Sequence, residues 1–262
     1  MYDFEYKRAT TSTDATDLYS ESEDPRFLAG GMTLIPVLKQ RLDQPTDLID
    51  LADISDLKGI SLEGANIVIK AMTTHHAVSD SEIILDKIPA LAHLASTIGD
   101  QMVRNRGTIG GSLANSDPAA SYPSAVLSLN ATVKTDKREI AADDFFTGMF
   151  DTALDDGELI VAVSFPIPEK AGYMHFPNPA SRYPIVGSFV SKSANIVRVA
   201  ITGAGPCAYR IPEFETALSS NFAPEAIKDI KISDDGLNSD IHASAEYRAH
   251  LINVMTRRAI SK

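Results

Sequence analysis

Two glycine pairs stand out in the sequence as segments whose backbone could bind a ligand. The first lies in Ala29-Gly30-Gly31-Met32-Thr33-Leu34, and the second lies in Thr108-Ile109-Gly110-Gly111-Ser112. Glycine tolerates positive φ angles and lets a ligand approach the main chain closely. Successive exposed N–H groups in such turns form concavities that bind anions. Two of these segments in one chain would suit the two phosphates of a dinucleotide.

Neither segment matches a standard nucleotide-binding fingerprint. The GxGxxG pattern of the Rossmann fold is absent, and the chain contains no GxxxxGK[ST] phosphate-binding loop. The residues alone therefore leave two interpretations open. Either the glycine pairs bind phosphate, or they are turns that bind nothing.

Other residues that could do chemistry favour structural roles. His75 and His76 have no third ligand at metal spacing, so we expect a turn or a surface position and no metal site. Cys207 has no neighbouring base and is expected to be inert. Arg104 and Arg106 precede the second glycine pair and could either neutralise a phosphate or end a helix in solvent. No catalytic residue is predicted.

The composition excludes several classes of protein. The chain has 262 residues, 24 Lys and Arg against 35 Asp and Glu, and a net charge of −11, which argues against a nucleic-acid partner. No apolar stretch reaches the roughly 20 residues that span a bilayer, and the first residues do not resemble a signal peptide. A single cysteine cannot form an internal disulfide or hold an iron–sulfur cluster. We therefore expect a cytoplasmic protein.

The periodicity of apolar residues predicts an α+β chain that positions the two glycine pairs behind short strands. Predicted strands cover residues 4–6, 27–29, 48–51, 66–72, 158–166 and 196–202. Predicted helices cover residues 34–38, 88–102, 224–230 and 244–261. The proline-containing stretch from Ala171 to Pro184 is expected to be a loop-rich link. The best single domain boundary falls near residues 167–172.

Three segments together resemble one protein family. They are AGGMTLIP (29–36), RNRGTIGGSLANSDPAASYPSAV (104–126) and SDIHASAEYRAHLINVMTRRAI (239–260). They closely resemble the FAD-binding medium subunit of molybdenum hydroxylases, a family that includes the flavoprotein of aerobic carbon monoxide dehydrogenase and the FAD portion of xanthine dehydrogenase. The resemblance covers nearly the whole chain, and the motif TIGGSLANSDPAA is long and specific.

The resemblance implies a fold and a set of FAD contacts. The fold would be a PCMH-type FAD-binding domain over residues 1–168, with two α/β subdomains at about 1–55 and 56–168. A small α+β C-terminal domain of the carbon monoxide dehydrogenase flavoprotein type would cover residues 169–262. FAD contacts are implied for Leu28, Ala29, Gly30, Gly31, Met32, Thr33, Leu34, Ile98, Gly107, Thr108, Ile109, Gly110, Gly111, Ser112, Ala114, Asn115, Asp117, Ser121, Ile160 and Tyr183.

By the same resemblance, different residues would contact different parts of the cofactor. Backbone amides of residues 29–34 and 108–112 would hold the pyrophosphate, and residues 114–117 would lie beside the ribityl and adenosine parts. Ile160 and Tyr183 would contact the flavin ring. Two places depart from the family pattern. Ser121 replaces the usual Asp or Glu, and residues 175–179 (HFPNP) replace a run rich in Lys and Arg.

The function implied by the resemblance is electron transfer. The chain would take electrons from 2Fe-2S clusters on a small partner subunit and pass them through FAD to a quinone, another carrier or NAD. A large partner subunit with the molybdenum cofactor would hydroxylate the substrate, and the complex would form a dimer of heterotrimers. A self-contained PCMH-type flavin oxidase or reductase is the alternative, and a scaffold that binds no cofactor is a third possibility.

Overall fold

The computed structural model describes every residue from Met1 to Lys262 and contains fourteen strands. The strands are β1 (Glu5–Arg8), β2 (Pro25–Leu28), β3 (Asp47–Asp50), β4 (Ile60–Glu63), β5 (Asn66–Lys70), β6 (Thr132–Thr135), β7 (Glu139–Ala141), β8 (Phe146–Gly148), β9 (Asp151–Thr152), β10 (Ile160–Pro166), β11 (Lys170–Pro177), β12 (Pro184–Ser193), β13 (Ile196–Thr202) and β14 (Tyr209–Arg210). Strands β8 and β9 form a small hairpin, and the others form three sheets.

Eleven α-helices connect or cover these sheets. They are α1 (Ser12–Ser20), α2 (Leu34–Lys39), α3 (His75–Ser79), α4 (Glu82–Lys87), α5 (Pro89–Ser96), α6 (Gln101–Arg104), α7 (Ile109–Asn115), α8 (Tyr122–Ser128), α9 (Ala142–Phe145), α10 (Pro212–Ser220) and α11 (Ala245–Ile260). Short 3-10 helices lie at Ser55–Leu57 and Pro224–Ile227. No helix has both the length and the apolar character that a membrane crossing requires.

The first sheet is parallel and has the order β1-β3-β2. Its central strand carries Leu48 and Ile49, which are fully covered. Ile49 packs in a small core with Ala15 of α1 and with Leu51 just after β3. Strands β2 and β3 are parallel, so they end at the same edge of this sheet. The first glycine segment follows β2 and therefore begins at this edge.

The second sheet is antiparallel and has the order β4-β5-β10-β6-β7. Strand β10 lies at its centre because it is almost continuously apolar, with Val163 and Phe165 fully buried. Helices α5, α7 and α8 contribute Leu91, Leu113 and Val126 to the core over this sheet. This core is the largest in the molecule and fixes the second glycine pair, which lies in α7.

The third sheet, β11-β12-β13-β14, is antiparallel and is covered on one side by α10 and α11. Its strands also contribute Tyr173, Phe189 and Ala200 to the core of the second sheet. The hydrophobic interior is therefore continuous across residues 168 and 169. The fold class is α+β, as the sequence predicts, whereas the division into domains at this position stays a prediction.

Two predicted elements are wrong. The predicted helix over residues 88–102 is two helices, α5 and α6, because Gly99 between them has a φ of +50°. The predicted loop-rich link contains the two long strands β11 and β12. Pro177 ends one of these strands and Pro184 begins the other, so neither proline interrupts the strand interior.

The C-terminal part holds two further differences. Helix α10 was not predicted, although Pro212 at its start is a common first helical residue. The segment 224–230 forms a 3-10 turn instead of a longer helix. Arg248 of α11 is only 4% exposed. Its guanidinium donates to the carbonyl oxygens of Ile185 and Gly203 and pairs with Asp240.

Candidate cofactor site

One large cavity, of about 510 Å³, lies where the three sheets meet the two glycine segments. This volume is within the range of small-molecule and cofactor sites. Its wall combines the end of β2, the start of α7 and the loop before β12, so it draws on all three parts of the chain. Both glycine segments face this cavity.

The first glycine segment presents a run of free backbone donors. It follows β2 and turns into α2, and Gly31 takes a φ of +72° to make this turn. The amides of residues 29–33 donate to no acceptor within the chain. Successive unpaired amides in such a turn form a concavity that binds an anion. This segment therefore has the donor set that a phosphate group requires.

The second glycine segment is organised differently from the prediction. It is the first turn of α7, capped by the Thr108 hydroxyl, which accepts from the Gly111 amide at 3.2 Å. The amides of Ile109 and Gly110 donate to the carbonyl oxygens of Thr73 and Ala71. The Ser112 amide donates to the Thr108 carbonyl. The expectation that residues 109–112 offer free amides is therefore wrong.

Glycine is required in the second segment for space and not for positive φ. Neither Gly110 nor Gly111 has a positive φ. A Cβ on Gly110 would lie 2.6 Å from Ala71 Cβ and 2.9 Å from the Ala71 carbonyl oxygen. A Cβ on Gly111 would come 3.3 Å from Ala29 Cβ. The second segment is thus packed directly between strand β5 and the first segment.

The two segments also touch through their backbones. A Cβ on Gly30 would overlap the Arg106 carbonyl oxygen and lie 2.8 Å from Gly107 Cα. Gly30 and Gly107 therefore meet through their main chains alone. The result is a bare backbone cradle, which fits the close approach that a pyrophosphate makes to main-chain groups.

The structure gathers most of the predicted site residues around this cavity. The exceptions are Leu28, whose carbonyl accepts from the Leu51 amide, and Ile109, which is fully buried in the core. The predicted residues that line the cavity are Ala29, Gly30, Gly31, Met32, Thr33, Leu34, Ile98, Gly107, Thr108, Gly110, Gly111, Ser112, Ala114, Asn115, Asp117, Ser121, Ile160 and Tyr183. Their individual roles toward a cofactor stay predictions.

Sequence reasoning missed other residues of the wall. They are Arg26, Phe27, Leu51, Ala71, Met72, His75, Gly99, Val103, Ala120, Leu154, Glu158, Leu159, Ser181, Arg182 and Pro184. Phe27 and Leu51 lie at the ends of strands that adjoin the first glycine segment, so their position could have been inferred. His75 gave no such signal, because it comes close only through the pairing of Thr74 with Thr108.

The charged groups near the cavity are mostly paired. The Glu158 carboxylate is covered and accepts from Arg138 at 2.9 Å, from Thr135 at 2.7 Å and from the Asp155 amide at 2.8 Å. Hydrogen bonds from Arg138 are the largest reason that the pKa of Glu158 falls to about 2. Burial raises the pKa of Asp117, although its carboxylate accepts from the Ala119 amide.

The structure favours one of the two roles left open for Arg104 and Arg106, the one away from a phosphate. Arg104 donates to the carbonyl oxygens of Ile98 and Gly99, and Arg106 is exposed outside the cavity wall, so neither faces the glycine cradle. Arg182 lines the cavity instead, and its Nη1 lies 3.3 Å from the Gly99 carbonyl oxygen. It supplies a positive charge to the cavity wall.

His75, expected in a turn or at the surface, is 5% exposed and lines the cavity. Its ring lies against Tyr122, with 5.3 Å between ring centroids. Burial is the main reason that its pKa falls to about 4, and the positive charge of Arg104 adds to the effect. The ring is therefore neutral at neutral pH. His76 next to it is about half exposed.

No three His, Cys, Asp or Glu side chains lie close enough together to hold a metal ion. Cys207 lies away from the cavity, beside a second and more open groove, and burial raises the pKa of its thiol. The cavity wall therefore combines free amides, hydroxyls, apolar side chains and two arginines, Arg26 and Arg182. This set suits binding of a large phosphorylated molecule.

The family model for the FAD binding domain in molybdopterin dehydrogenase matches residues 2–168, which include both glycine segments. The chain belongs to this family. As a molybdopterin dehydrogenase FAD-binding chain, it is an oxidoreductase subunit that binds FAD.

Relatives align over almost the full length of this FAD-binding chain. The nicotine 6-hydroxylase medium subunit of Paenarthrobacter nicotinovorans is 35% identical, with 97% of this chain and 95% of that protein covered. The carbon monoxide dehydrogenase medium chain of Afipia carboxidovorans is 34% identical, with 99% and 96% covered. A solved structure of reconstituted carbon monoxide dehydrogenase from Oligotropha carboxidovorans superposes with a TM-score of 0.88, at 32% identity over 99% and 97% of the two chains.

Proposed function

We propose that this chain is the FAD-carrying electron-transfer subunit of a molybdenum hydroxylase complex. The observation that supports it best is the run of free amides at residues 29–33, which lies in backbone contact with Gly107. FAD supplies reversible one- and two-electron redox chemistry when it is bound. The chain's own residues bind the cofactor and fix its orientation.

Individual residues have separate parts in this proposal. The amides of residues 29–33 hold the pyrophosphate, and the hydroxyls of Thr108 and Ser112 lie on the same side of the cavity. Asn115, Asp117 and Ser121 supply polar groups for the ribityl and adenosine parts. Ile160 and Tyr183 supply apolar and aromatic surface for the flavin ring, with residues 1–168 as the FAD-binding domain and 169–262 as the C-terminal domain.

The proposal requires no acid, base or nucleophile from this chain. The carboxylate of Glu158 is fully paired, and Asp117 accepts from a backbone amide. His75 is neutral at neutral pH. The wall excludes water and orients the cofactor, and the hydroxylation of substrate takes place on another subunit.

The partners follow from what this chain lacks and from the names of its relatives. A single cysteine cannot hold a 2Fe-2S cluster, which takes four protein ligands, so the clusters belong to a small partner chain. The relatives are named as medium chains or medium subunits. We infer a heterotrimer with small iron–sulfur and large molybdenum subunits, paired as a dimer, in the cytoplasm.

The substrate is set on another chain in this proposal. Relatives of nearly equal similarity are named for nicotine, carbon monoxide and glyceraldehyde, which share no chemistry that one pocket could recognise. The FAD chain can therefore stay similar while the substrate changes. Its electron acceptor is a quinone, another carrier or NAD.

The experiment is to purify the chain with its native partners, determine its cofactors and follow flavin reduction by substrate. The proposal predicts FAD on this chain, iron–sulfur absorbance on a smaller subunit, and substrate-driven flavin bleaching that requires both partners. A self-contained flavin oxidase or reductase would be reduced by its own substrate without any partner. Bleaching of the isolated chain by substrate would therefore contradict the proposal.

A further inference from the structure

The ring of His75 has one nitrogen that can meet a ligand. Its Nδ1 is completely buried and has no hydrogen-bond partner. Nε2 also bonds to no group of the chain, but it lies at the side of the ring that faces Gly107, where the cavity wall begins. Any partner of this side chain must therefore approach Nε2 from the cavity.

His75 packs against Gly107, and Gly107 in turn packs against Gly30. A Cβ on Gly107 would be 2.6 Å from His75 Nε2, and a Cβ on Gly30 would be 2.8 Å from Gly107 Cα. The His75 amide donates to the Gly107 carbonyl at 2.9 Å, which fixes the start of α3 against this residue. A side chain at position 107 would collide with Nε2, so only a glycine there leaves Nε2 open to the cavity.

The burial of Nδ1 decides where the ring carries its proton. A neutral imidazole has one N–H donor and one acceptor nitrogen. A buried N–H without a partner is rarer in proteins than an unused lone pair, because the lost donor bond is costly. The proton therefore belongs on Nε2, and the cavity receives a hydrogen-bond donor next to the glycine cradle.

We propose that His75, as the neutral Nε2–H tautomer, donates a hydrogen bond to the FAD pyrophosphate. This inference rests on the proposed function, since it assumes that the cradle holds FAD. It adds a cofactor ligand from α3 that neither glycine motif contains. A neutral donor here binds the phosphate oxygens without burying a further positive charge beside the paired Arg104.

The test measures FAD binding by flavin fluorescence in the apo-chain and in three variants. His75→Leu removes the donor and should raise the Kd for FAD by about 10-fold, as expected for a hydrogen bond to a charged group. His75→Gln places an amide N–H near the Nε2 position and should restore most of the affinity. His76→Leu is the matched control, because His76 is outside the cavity, and it should leave the Kd unchanged.

Nuclear magnetic resonance distinguishes a direct contact from a structural effect. In the wild-type chain labelled with 15N-histidine, added FAD should shift the Nε2 resonance of His75 and leave that of His76 in place. The 31P resonances of bound FAD should differ between wild type and His75→Leu. The Nε2 shift is measured on the wild-type chain, so it tests the contact even if His75→Leu does not fold.

The outcomes separate the two proposals. Failure of the wild-type chain to bind FAD would overturn the proposed function. Binding by wild type with an unchanged Kd in His75→Leu and no Nε2 shift would overturn only the role of His75. A shift of Nε2 with unchanged 31P resonances would place the hydrogen bond elsewhere on FAD and would also overturn the pyrophosphate assignment.

Discussion

Gly30 and Gly107 are in direct backbone contact, and a Cβ on Gly30 would lie 2.8 Å from Gly107 Cα. These residues are 77 positions apart in the chain: Gly30 belongs to the first glycine segment, and Gly107 directly precedes the second. Their contact joins the edge of the parallel sheet to the segment that leads into α7. Gly30 belongs to the segment with the free amides, and Gly107 lies against the ring of His75.

Gly30→Ala should abolish stable FAD binding. The new Cβ would overlap the Arg106 carbonyl oxygen, which is backbone and cannot rotate away, so the two segments must separate. The measurement is the flavin-to-protein ratio after purification. Gly148→Ala is the control, because its Cβ would meet nothing closer than 3.6 Å. Normal flavin content in Gly30→Ala would show that the cradle is not the cofactor site.

Gly110→Val should act first on stability. Its side chain would collide with Ala71 of the core, and such overpacking costs about 2 kcal/mol or more. For a chain of this size the Tm should fall by roughly 4 °C or more, even without FAD. Loss of FAD with an unchanged apo Tm would contradict this role for Gly110.

Ser121→Asp and Ser121→Ala should change FAD affinity in opposite directions. Ser121 is 7% exposed and lines the cavity, so a carboxylate there is costly unless the cofactor donates to it. Ser121→Asp should lower the apo Tm and tighten FAD binding, whereas Ser121→Ala should weaken binding several-fold. Equal Kd values in both variants would show that position 121 does not contact FAD.

Stability should fall in two ranges as the pH decreases. Burial lowers the pKa of His75 and of His175 to about 4 from 6.5, so the unfolded chain binds more protons between these values and unfolding becomes easier. Glu158, with its pKa lowered from 4.5 to about 2, adds a second loss over that lower range. Urea denaturation at each pH measures the effect.

A variant separates the two ranges. His175→Gln should flatten the dependence between pH 6.5 and about 4 while leaving the loss below pH 4.5 in place. His175 is half-buried and stacks on Tyr173, so its removal does not touch the Glu158 pair. An unchanged slope in the upper range would show that His175 titrates normally in the folded chain.

Arg248→Met should lower the free energy of unfolding by about 3 kcal/mol, because it leaves the carbonyls of Ile185 and Gly203 without their donor. Ile185 lies in β12, which begins at the cavity wall with Pro184, and Gly203 directly follows β13. Arg258→Met is the control on the same helix, at an exposed position. Equal denaturation curves for the two variants would contradict the account of Arg248.

The sequence predicts the local elements well and the long-range contacts poorly. Strands β5, β10 and β13 could be found because each is a β-branched run between turn residues. Strands β11 and β12 could not, because the prolines at their ends are the usual sign of a loop. The same limit applies to Gly99, whose positive φ divides α5 from α6 in an otherwise helical pattern.

In the candidate site, too, the sequence shows the local motifs but not the long-range contacts. The two glycine segments are visible as motifs, but their different roles depend on acceptors supplied by the turn after β5, namely the carbonyls of Ala71 and Thr73. His75 enters the site only because Thr74 pairs with Thr108. These contacts join residues that are far apart in the sequence, so no spacing pattern predicts them and only the folded structure shows them.

The central claim is that the cradle at residues 29–33 binds the pyrophosphate of FAD, and titration calorimetry of the apo-chain tests it most directly. FAD should bind at one molecule per chain, and FMN, which lacks the pyrophosphate, should bind far more weakly. Gly30→Ala should bind neither. Absence of FAD binding at excess cofactor, or equal affinity for FAD and FMN, would contradict the account.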